Sequence, residues 1–287
     1  MGGIGVTGSS GLLGRSVVAE LLAAGHRVVG ADRAPATVEA DGFSACAWDG
    51  RDVSGLAANL EGCDGLVHLA AIPAPYHHPN ETVFGNNTAA TFAALQAAAD
   101  QGIRRAVVAS SISVYGMAFS PKPLAALYVP VNEDHPLRNA DPYGLSKEAD
   151  EATARMFCRR YGMSVAALRF HWVADLAAQL GSRSLRGELG DTSEIANLWG
   201  YVDSRDAAGA CRLALEAAAE RPYGFAALNI AAADVLARVP LGELIERFAP
   251  AVEIRTPLGQ TAGGWDISRA EQLIGWRPEH SWRDLAP

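Results

Sequence analysis

The chain has 287 residues, of which 49% are hydrophobic and 20% are charged, so its composition is that of a globular protein and not of a disordered one. This length suits one large α/β domain, with or without a smaller lobe. The formal net charge is −8 and no cluster of lysine and arginine occurs, which argues against a nucleic-acid partner.

Targeting and metal-binding patterns are missing from the sequence. The start, MGGIGVTGSS, lacks the charged stretch and apolar core of a secretory signal, and no apolar run reaches membrane-spanning length. The four cysteines form no CxxC pair, and the adjacent His77 and His78 lack a third ligand at suitable spacing. We therefore expect a cytoplasmic protein with no membrane partner and no metal.

Short apolar stretches alternate with longer amphipathic ones over the first 170 residues. This rhythm predicts an α/β fold with a doubly wound parallel (Rossmann) sheet. We expect strands over 3–7, 27–31, 43–47, 65–69, 104–109 and 164–169, and helices over 12–24, 84–100 and 143–161.

The remaining residues, 171–287, are expected to form a small C-terminal substrate lobe and to return to the sheet, while 1–170 form the dinucleotide-binding domain. Expected elements are strands over 225–230 and near 252–255 and helices near 241–248 and 266–274. Two irregular segments, 116–142 and 174–200, follow strands of the sheet. They are candidate substrate walls, although inert surface connections would read similarly.

Residues 7–14 read TGSSGLLG and lie between the first strand and the first helix. Gly8 would permit a tight turn, Gly11 would let the backbone approach a pyrophosphate, and Gly14 would allow close helix–strand contact. Asp32, at the end of the second strand, has the spacing of a carboxylate that binds the adenosine ribose and favours NAD. Arg33 beside it would suit the 2′-phosphate of NADP, so NADP is the alternative.

Residues 143–147 read YGLSK and put Tyr143 and Lys147 on one face of a helix. Tyrosine is a poor base at neutral pH, and an ammonium one turn away stabilises its phenolate. Such a pair can exchange a proton with an alcohol. Ser110 and Ser111 follow a strand at the same sheet edge, where a hydroxyl can hold a substrate oxygen. The alternative is that these residues have structural roles only: a buried tyrosine followed by a surface lysine, and serines that end a strand.

Several motifs occur in one order along nearly the whole chain: TGSSGLLG, WDGRD (48–52), HLAA (68–71), NNTAAT (86–91), SSISVYG (110–116), PYGLSK (142–147) and YVDSRDAA (201–208). In these motifs the chain resembles the extended short-chain dehydrogenase/reductase superfamily, which includes NAD-dependent sugar epimerases and dehydratases.

The resemblance implies catalytic roles for Ser111, Tyr143, Lys147 and Asn87, and a homodimer formed through the helix of Tyr143. Asn87 lies in an element whose usual glycine is replaced by Ala90. The implied cofactor site consists of Gly8, Ser10, Gly11, Leu12, Gly14, Asp32, Arg33, Asp49, Ala70, Ala71, Ser110, Tyr143 and Lys147.

The chain departs from nucleotide-sugar members of that superfamily on the substrate side. Trp172 takes the place of a substrate-binding asparagine, and the NLWGYVD stretch lacks the usual preceding arginine. A smaller substrate is therefore expected: a free sugar, sugar acid, cyclitol or related polyol. Candidate substrate contacts are Ser111, Ser113, His171, Trp172 and Arg183, with Arg169 and Arg186 as further receptors for an anionic group.

Three functions remain compatible with the sequence. The first is a dehydrogenase acting on a secondary alcohol or ketone. The second is a sugar epimerase or dehydratase, including one acting on nucleotide sugars, which oxidises and re-reduces its substrate. The third is a non-catalytic dinucleotide sensor, although such a protein has no need of both Tyr143 and Lys147.

Overall fold

A parallel sheet of seven strands forms the centre of the protein in a computed structural model that describes residues 2–34, 39–179 and 192–285. Seven of the described strands form this sheet, and the other four form two small pairs. In chain order the strands are β1 Gly3–Thr7, β2 Arg27–Asp32, β3 Phe43–Ala47, β4 Cys63–His68, β5 Arg105–Ser111, β6 Tyr128–Val129, β7 Ser164–Phe170, β8 Val173–Ala174, β9 Val202–Asp203, β10 Phe225–Ile230 and β11 Glu253–Ile254. The small pairs are β6 with β11 and β8 with β9. The helices are α1 Leu12–Ala23, α2 Val53–Asn59, α3 Asn80–Asp100, α4 Pro142–Tyr161, α5 Leu176–Gln179, α6 Ser204–Glu220, α7 Leu241–Phe248 and α8 Ser268–Ile274.

The order of the central strands is β10-β7-β5-β4-β1-β2-β3. The chain builds outward from β1 in one direction through β3 and then returns to the other side of β1 with β4. This reversal leaves a crevice beyond the carboxyl ends of β1 and β4, the place where open α/β sheets bind ligands.

Helices cover both faces of the sheet, as buried parallel strands require. One core contains Val17 and Leu21 of α1 together with Cys211 of α6. The opposite core contains Leu95 of α3 and Phe157 of α4. The predicted doubly wound α/β fold is confirmed, and no helix within the described ranges is long and apolar enough to cross a membrane.

The first turn of α4 is fixed by local sequence signals. The Asp141 carboxylate accepts hydrogen bonds from the backbone N–H groups of Tyr143 (2.9 Å) and Gly144 (2.8 Å). Pro142 supplies a helical φ at the first position, where its missing N–H costs nothing. The helix ends before Gly162, whose φ of 66° reverses the chain.

Four helices differ from the sequence prediction, among them α5, which lies in the segment 174–200 that was expected to be irregular. α3 begins at Asn80 rather than 84. α2 was not predicted, because it has seven residues and includes Gly55, so its periodicity is too short to recognise. α6 was not predicted either, because its buried face consists mainly of alanine and contrasts little with the exposed one.

A smaller core lies beyond the sheet edge. β6 pairs with β11 in parallel, and Val129 packs with Leu241, Ile245 and Trp265. β10, which lies between β6 and β11 in the sequence, pairs with β7, so the chain returns to the main sheet before it completes this smaller core. The domain boundary at residue 170 stays a prediction.

His171 follows β7 and uses both ring nitrogens. The backbone N–H of Trp172 donates to Nδ1 over 2.6 Å, so Nε2 carries the proton and donates to the carbonyl of Asn197 over 2.9 Å. The ring is 4% exposed, and burial lowers the pKa of His171 to about 4.

We predict that His171 makes the fold acid-sensitive. Its pKa rises from about 4 in the folded state to an ordinary 6.5 in the unfolded chain, so the unfolded state gains a proton as the pH falls below 6.5. Between about pH 7 and about pH 5 this residue alone should remove about 2 kcal/mol of unfolding free energy. Urea denaturation of the wild type and His171→Asn at both pH values measures the effect.

The variant should lose less stability on acidification, because the asparagine amide keeps an acceptor for the Trp172 N–H and does not titrate. Exposed His78→Asn is the control and should keep the wild-type slope. Equal slopes for His171→Asn and the wild type would contradict the assignment.

Candidate active site

The glycine loop after β1 leaves one face of the crevice open. Gly8 has a φ of 71°, and a side chain there would lie 2.8 Å from the backbone nitrogen of Ala70. A side chain at Gly14 would overlap the Gly8 carbonyl. At Gly11 the nearest atom beyond its chain neighbours in the described residues is that same carbonyl at 3.3 Å, so the backbone is accessible.

α1 begins directly after this loop, at Leu12, and among the described residues no side chain caps its N-terminus. Its first N–H groups and its positive dipole end therefore point to where a pyrophosphate would be held. This cradle fits a dinucleotide, because Gly8 and Gly14 permit the tight turn while Gly11 leaves room for phosphate.

Asp32 is fixed at the end of β2. One carboxylate oxygen accepts the backbone N–H of Ser10 and the other that of Ala34, both over 2.9 Å. Arg33 beside it is exposed. The carboxylate thus stands at the rim of the crevice with its position set by the glycine loop itself.

The predicted cofactor residues Gly8, Gly11, Asp32, Arg33, Asp49, Ala70 and Ala71 line one cavity. Backbone hydrogen bonds from Arg51 and Asp52 hold Asp49 and lower its pKa. Sequence reasoning missed five residues that line the same cavity: Trp48, Gly50, Leu69, Asn86 and Ala90. The WDGRD, HLAA and NNTAAT motifs were the signals that contained them.

Tyr143 and Lys147 lie together at the start of α4. The Lys147 Nζ is 5.8 Å from the centre of the Tyr143 ring. The two residues are 8% and 2% exposed, so their interaction takes place largely out of water.

Ser111 ends β5, and Ser113 lies in the helical turn that follows it, at the same end of the sheet as Tyr143. Ser111 Oγ accepts the backbone N–H of Ser113 and donates to its hydroxyl, both over 3.1 Å. A side chain at Gly144 would lie 2.7 Å from the Ser113 carbonyl, so this turn packs against the residue next to Tyr143. The structure therefore brings Ser111, Ser113, Tyr143 and Lys147 to one end of the sheet.

Asn87 has a bridging position. Its side chain accepts the Ile72 backbone N–H over 2.8 Å and donates to the Ile72 carbonyl and to the Ser146 hydroxyl, each over 3.1 Å. Asn87 is fully buried. It joins α3 and α4 to the loop after β4, and its amide is engaged by these protein groups.

Ser110 and Arg169 belong to a buried network and not to the crevice. The Ser110 hydroxyl donates to Glu151 over 2.8 Å, and Arg169 donates to both oxygens of the same carboxylate over 2.8 and 2.9 Å. Arg169 also donates to the Tyr115 hydroxyl, which donates to Asn229. The expectations that Ser110 contacts the cofactor and that Arg169 receives an anion thus receive no support from their side-chain positions.

Of the four remaining substrate candidates, two lie within the described residues and two do not. The His171 ring is occupied by its two backbone partners, which leaves no nitrogen for a ligand. Trp172 is half-buried at the carboxyl end of β7. Arg183 and Arg186 lie outside the described residues.

A row of aromatic rings leads outward from Tyr143. Phe119 meets Tyr143 edge to face with ring centres 5.9 Å apart, and Tyr76 meets Phe119 in the same way at 5.4 Å. Tyr76 is 58% exposed. Its neighbour His77 has a φ of 68°, a conformation uncommon for a residue other than glycine.

A buried polar chain beneath the crevice was also missed from sequence. Thr7 Oγ1 lies 2.7 Å from His68 Nδ1, and His68 Nε2 lies 3.1 Å from Thr91 Oγ1. Burial and then the positive charge of Lys147 lower the pKa of His68 to about 3, so the ring is neutral.

A buried ion pair was missed from the sequence as well. Lys147 Nζ lies 3.2 Å from Asp150 Oδ2. The i, i+3 spacing of lysine and aspartate was the available signal.

Comparison with known proteins identifies the family of this chain. The family model for the NAD dependent epimerase/dehydratase family matches residues 4–231. L-arabinose 1-dehydrogenase (NAD(P)(+)) of Haloferax volcanii is 36% identical over 179 residues, or 60% of this chain and 68% of that protein. UDP-glucose 4-epimerase of Lacticaseibacillus casei is 28% identical over 96% of this chain and 92% of its own length.

A solved structure extends the likeness to three dimensions. MoeE5 in complex with UDP-glucuronic acid and NAD has a TM-score of 0.73 and 27% identity, covering 98% of this chain and 95% of that one. The predicted resemblance, the NAD cofactor and the enzyme class are thereby confirmed, which disfavours the non-catalytic sensor. The chain belongs to the NAD dependent epimerase/dehydratase family, within the extended short-chain dehydrogenases/reductases.

Proposed function

We propose that this enzyme reversibly oxidises a secondary alcohol of a small sugar, sugar acid, cyclitol or related polyol. The observation that carries the proposal is the buried Tyr143–Lys147 pair, on a helix whose first turn packs against the turn after Ser111. NAD supplies the hydride acceptor when bound. The protein itself must bind the alcohol, orient it and move one proton.

Each residue of the group has a distinct task. The Tyr143 hydroxyl takes the proton from the alcohol, or returns it to the alkoxide in the reverse direction. The Lys147 ammonium stabilises the phenolate and binds the nicotinamide ribose. The Ser111 hydroxyl donates to the substrate oxygen, where negative charge develops.

The cofactor preference follows from Asp32. A carboxylate at the adenosine ribose binds hydroxyl groups and repels a 2′-phosphate. Its two hydrogen bonds to the backbone hold it in place, so it has little freedom to turn away. We propose NAD as the main cofactor, with exposed Arg33 as the group that would admit NADP.

The row of aromatic rings supports a small carbohydrate. Tyr76 and Phe119 extend from Tyr143 toward solvent and offer apolar surface to the C–H groups of a sugar ring. The first relative named above acts on a free sugar. The second candidate, a nucleotide-sugar epimerase or dehydratase, is favoured by the epimerase that matches nearly the whole chain.

We predict that a panel of monosaccharides, sugar acids and polyols supplied with NAD contains a substrate that produces reduced cofactor. Tyr143→Phe should lower kcat/KM by about 100-fold or more, because it removes the proton acceptor and keeps the ring. Absorbance of the reduced cofactor measures both. Tyr161→Phe, at the far end of α4, is the matched control and should retain activity.

The panel also separates the two candidates. Conversion of a sugar to its epimer without accumulation of reduced cofactor would favour the epimerase. Absence of turnover on free and nucleotide sugars with either dinucleotide would contradict both.

We predict that Tyr76→Ala raises the KM for the sugar by about tenfold and leaves kcat nearly unchanged, because the ring binds substrate without taking part in the chemistry. Tyr76→Phe keeps the ring and should behave as the wild type. Steady-state kinetics at saturating NAD measures both variants. An unchanged KM in Tyr76→Ala would remove this ring from the substrate site.

We further propose a homodimer formed through α3 and α4. These helices pack together on one face of the sheet and expose Phe84, Phe92 and Leu145, the last at 47%. An apolar face of this kind is typical of a subunit interface.

We predict that the wild type sediments as a dimer and that Leu145→Glu raises its dissociation constant by about tenfold or more, because a charge would be buried in the interface. Leu285→Glu is the matched control, since Leu285 is also 47% exposed but lies near the C-terminus. A monomeric wild type, or equal effects of the two variants, would contradict the dimer.

A further inference from the structure

The ion pair between Lys147 and Asp150 is unusual in its burial. Lys147 Nζ and Asp150 Oδ2 are 3.2 Å apart, and the two side chains are 3% and 0% exposed. Removing two charges from water costs several kcal/mol per ion, and apolar residues of similar size usually stabilise a core as well or better. Stability alone therefore does not account for a carboxylate at position 150.

Asp150 has few partners that favour its charge. Burial raises the pKa of Asp150 above its usual range, while the Lys147 charge and the nearby Thr91 hydroxyl lower it. The neighbouring Glu151 carboxylate opposes the charge, and is itself engaged by Ser110 and Arg169. Lys147 donates to Oδ2 of Asp150, whereas Oδ1 is buried without a hydrogen-bond partner among the described residues. Lys147 is thus the charged partner that favours the ionised form of Asp150.

The chain of hydrogen bonds behind Thr91 has a defined direction. The backbone N–H of Leu69 donates to Thr7 Oγ1 over 3.3 Å, so the Thr7 hydroxyl proton is available for His68 Nδ1. A neutral His68 then carries its proton on Nε2 and donates it to Thr91 Oγ1. The Thr91 hydroxyl keeps its own proton for a further acceptor, and it lies near enough to Asp150 to lower the pKa of that carboxyl.

This chain connects four elements. Thr7 ends β1 and His68 ends β4, the two strands on either side of the crevice; Thr91 lies on α3 and Asp150 on α4. The positions of strand ends are set by the sheet, so a side chain tied to them has a fixed location relative to the crevice.

We propose that Asp150 is a positioning residue that fixes the Lys147 ammonium beside Tyr143 and is itself anchored to the ends of β1 and β4 through Thr91, His68 and Thr7. Asp150 touches neither substrate nor cofactor in this proposal and acts through Lys147. The proposal rests on the proposed function for its effect on turnover, but the pairing itself is independent of it.

A thermodynamic cycle tests the pairing without activity. Lys147→Met and Asp150→Leu should each lower the unfolding midpoint by several degrees, because each leaves one charge buried alone. The double variant should regain most of the loss, since no charge then remains. Additive losses in the double variant would overturn the proposed pairing, whether or not a substrate is known.

A kinetic cycle tests the positioning role. Asp150→Asn keeps the shape and removes the charge, and we expect it to lower kcat by about tenfold or more in the wild-type background. In the Lys147→Met background the same change should alter kcat by less than about twofold, because the residue through which it acts is absent. Equal losses in both backgrounds, or no loss in the wild type, would overturn the role.

Conservative rescue at Thr91 separates anchoring from packing. Thr91→Val keeps the volume and removes the hydroxyl, so its kcat should fall in the same direction as that of Asp150→Asn. Thr91→Ser keeps the hydroxyl and should recover most of kcat. Loss in the serine variant with recovery in the valine variant would contradict the anchor.

A wild type without turnover would contradict the proposed function, and the unfolding cycle would then decide the pairing.

Discussion

The site depends on how the first turn of α4 is held against the carboxyl ends of β4 and β5. Asp141 caps that turn, and Asn87 links Ser146 to the loop after β4. Gly144 packs on the turn after β5 so closely that a side chain would not fit. Together these contacts fix Tyr143 at the carboxyl end of β5, the same end of the parallel sheet as the glycine loop after β1.

α4 divides into two halves with different packing. Its first half buries polar or ionisable residues at Tyr143, Ser146, Lys147, Asp150 and Glu151, whereas its second half buries Ala154 and Phe157. A helix interior normally hides apolar groups. Burial of charge in the first half requires compensating partners, and Arg169 and the ion pair between Lys147 and Asp150 supply them. Departures from ordinary packing of this kind are typical of functional sites.

Local patterns in the sequence predicted the sheet, the glycine loop and the helix of Tyr143, because each depends on residues close in sequence. Partnerships across the fold were not predictable in the same way. Ser110 and Arg169 meet through Glu151, and His171 is held by Asn197; nothing near those residues indicates such pairings. The chain from Thr7 to Asp150 spans four elements and becomes visible only when the sheet assembles them. Roles taken from the family resemblance therefore located the crevice better than they described each side chain.

Hydride transfer at a carbon–oxygen centre is the central claim, and isotope transfer tests it most directly. A sugar that reacts should be supplied with deuterium on the carbon to be oxidised, and the reduced cofactor should be examined by mass spectrometry after a single turnover. The account predicts that the label lies on the reduced nicotinamide if the oxidised product is released, and on the sugar product again if the enzyme re-reduces it. A reduced cofactor without label, or loss of the label to water, would contradict it.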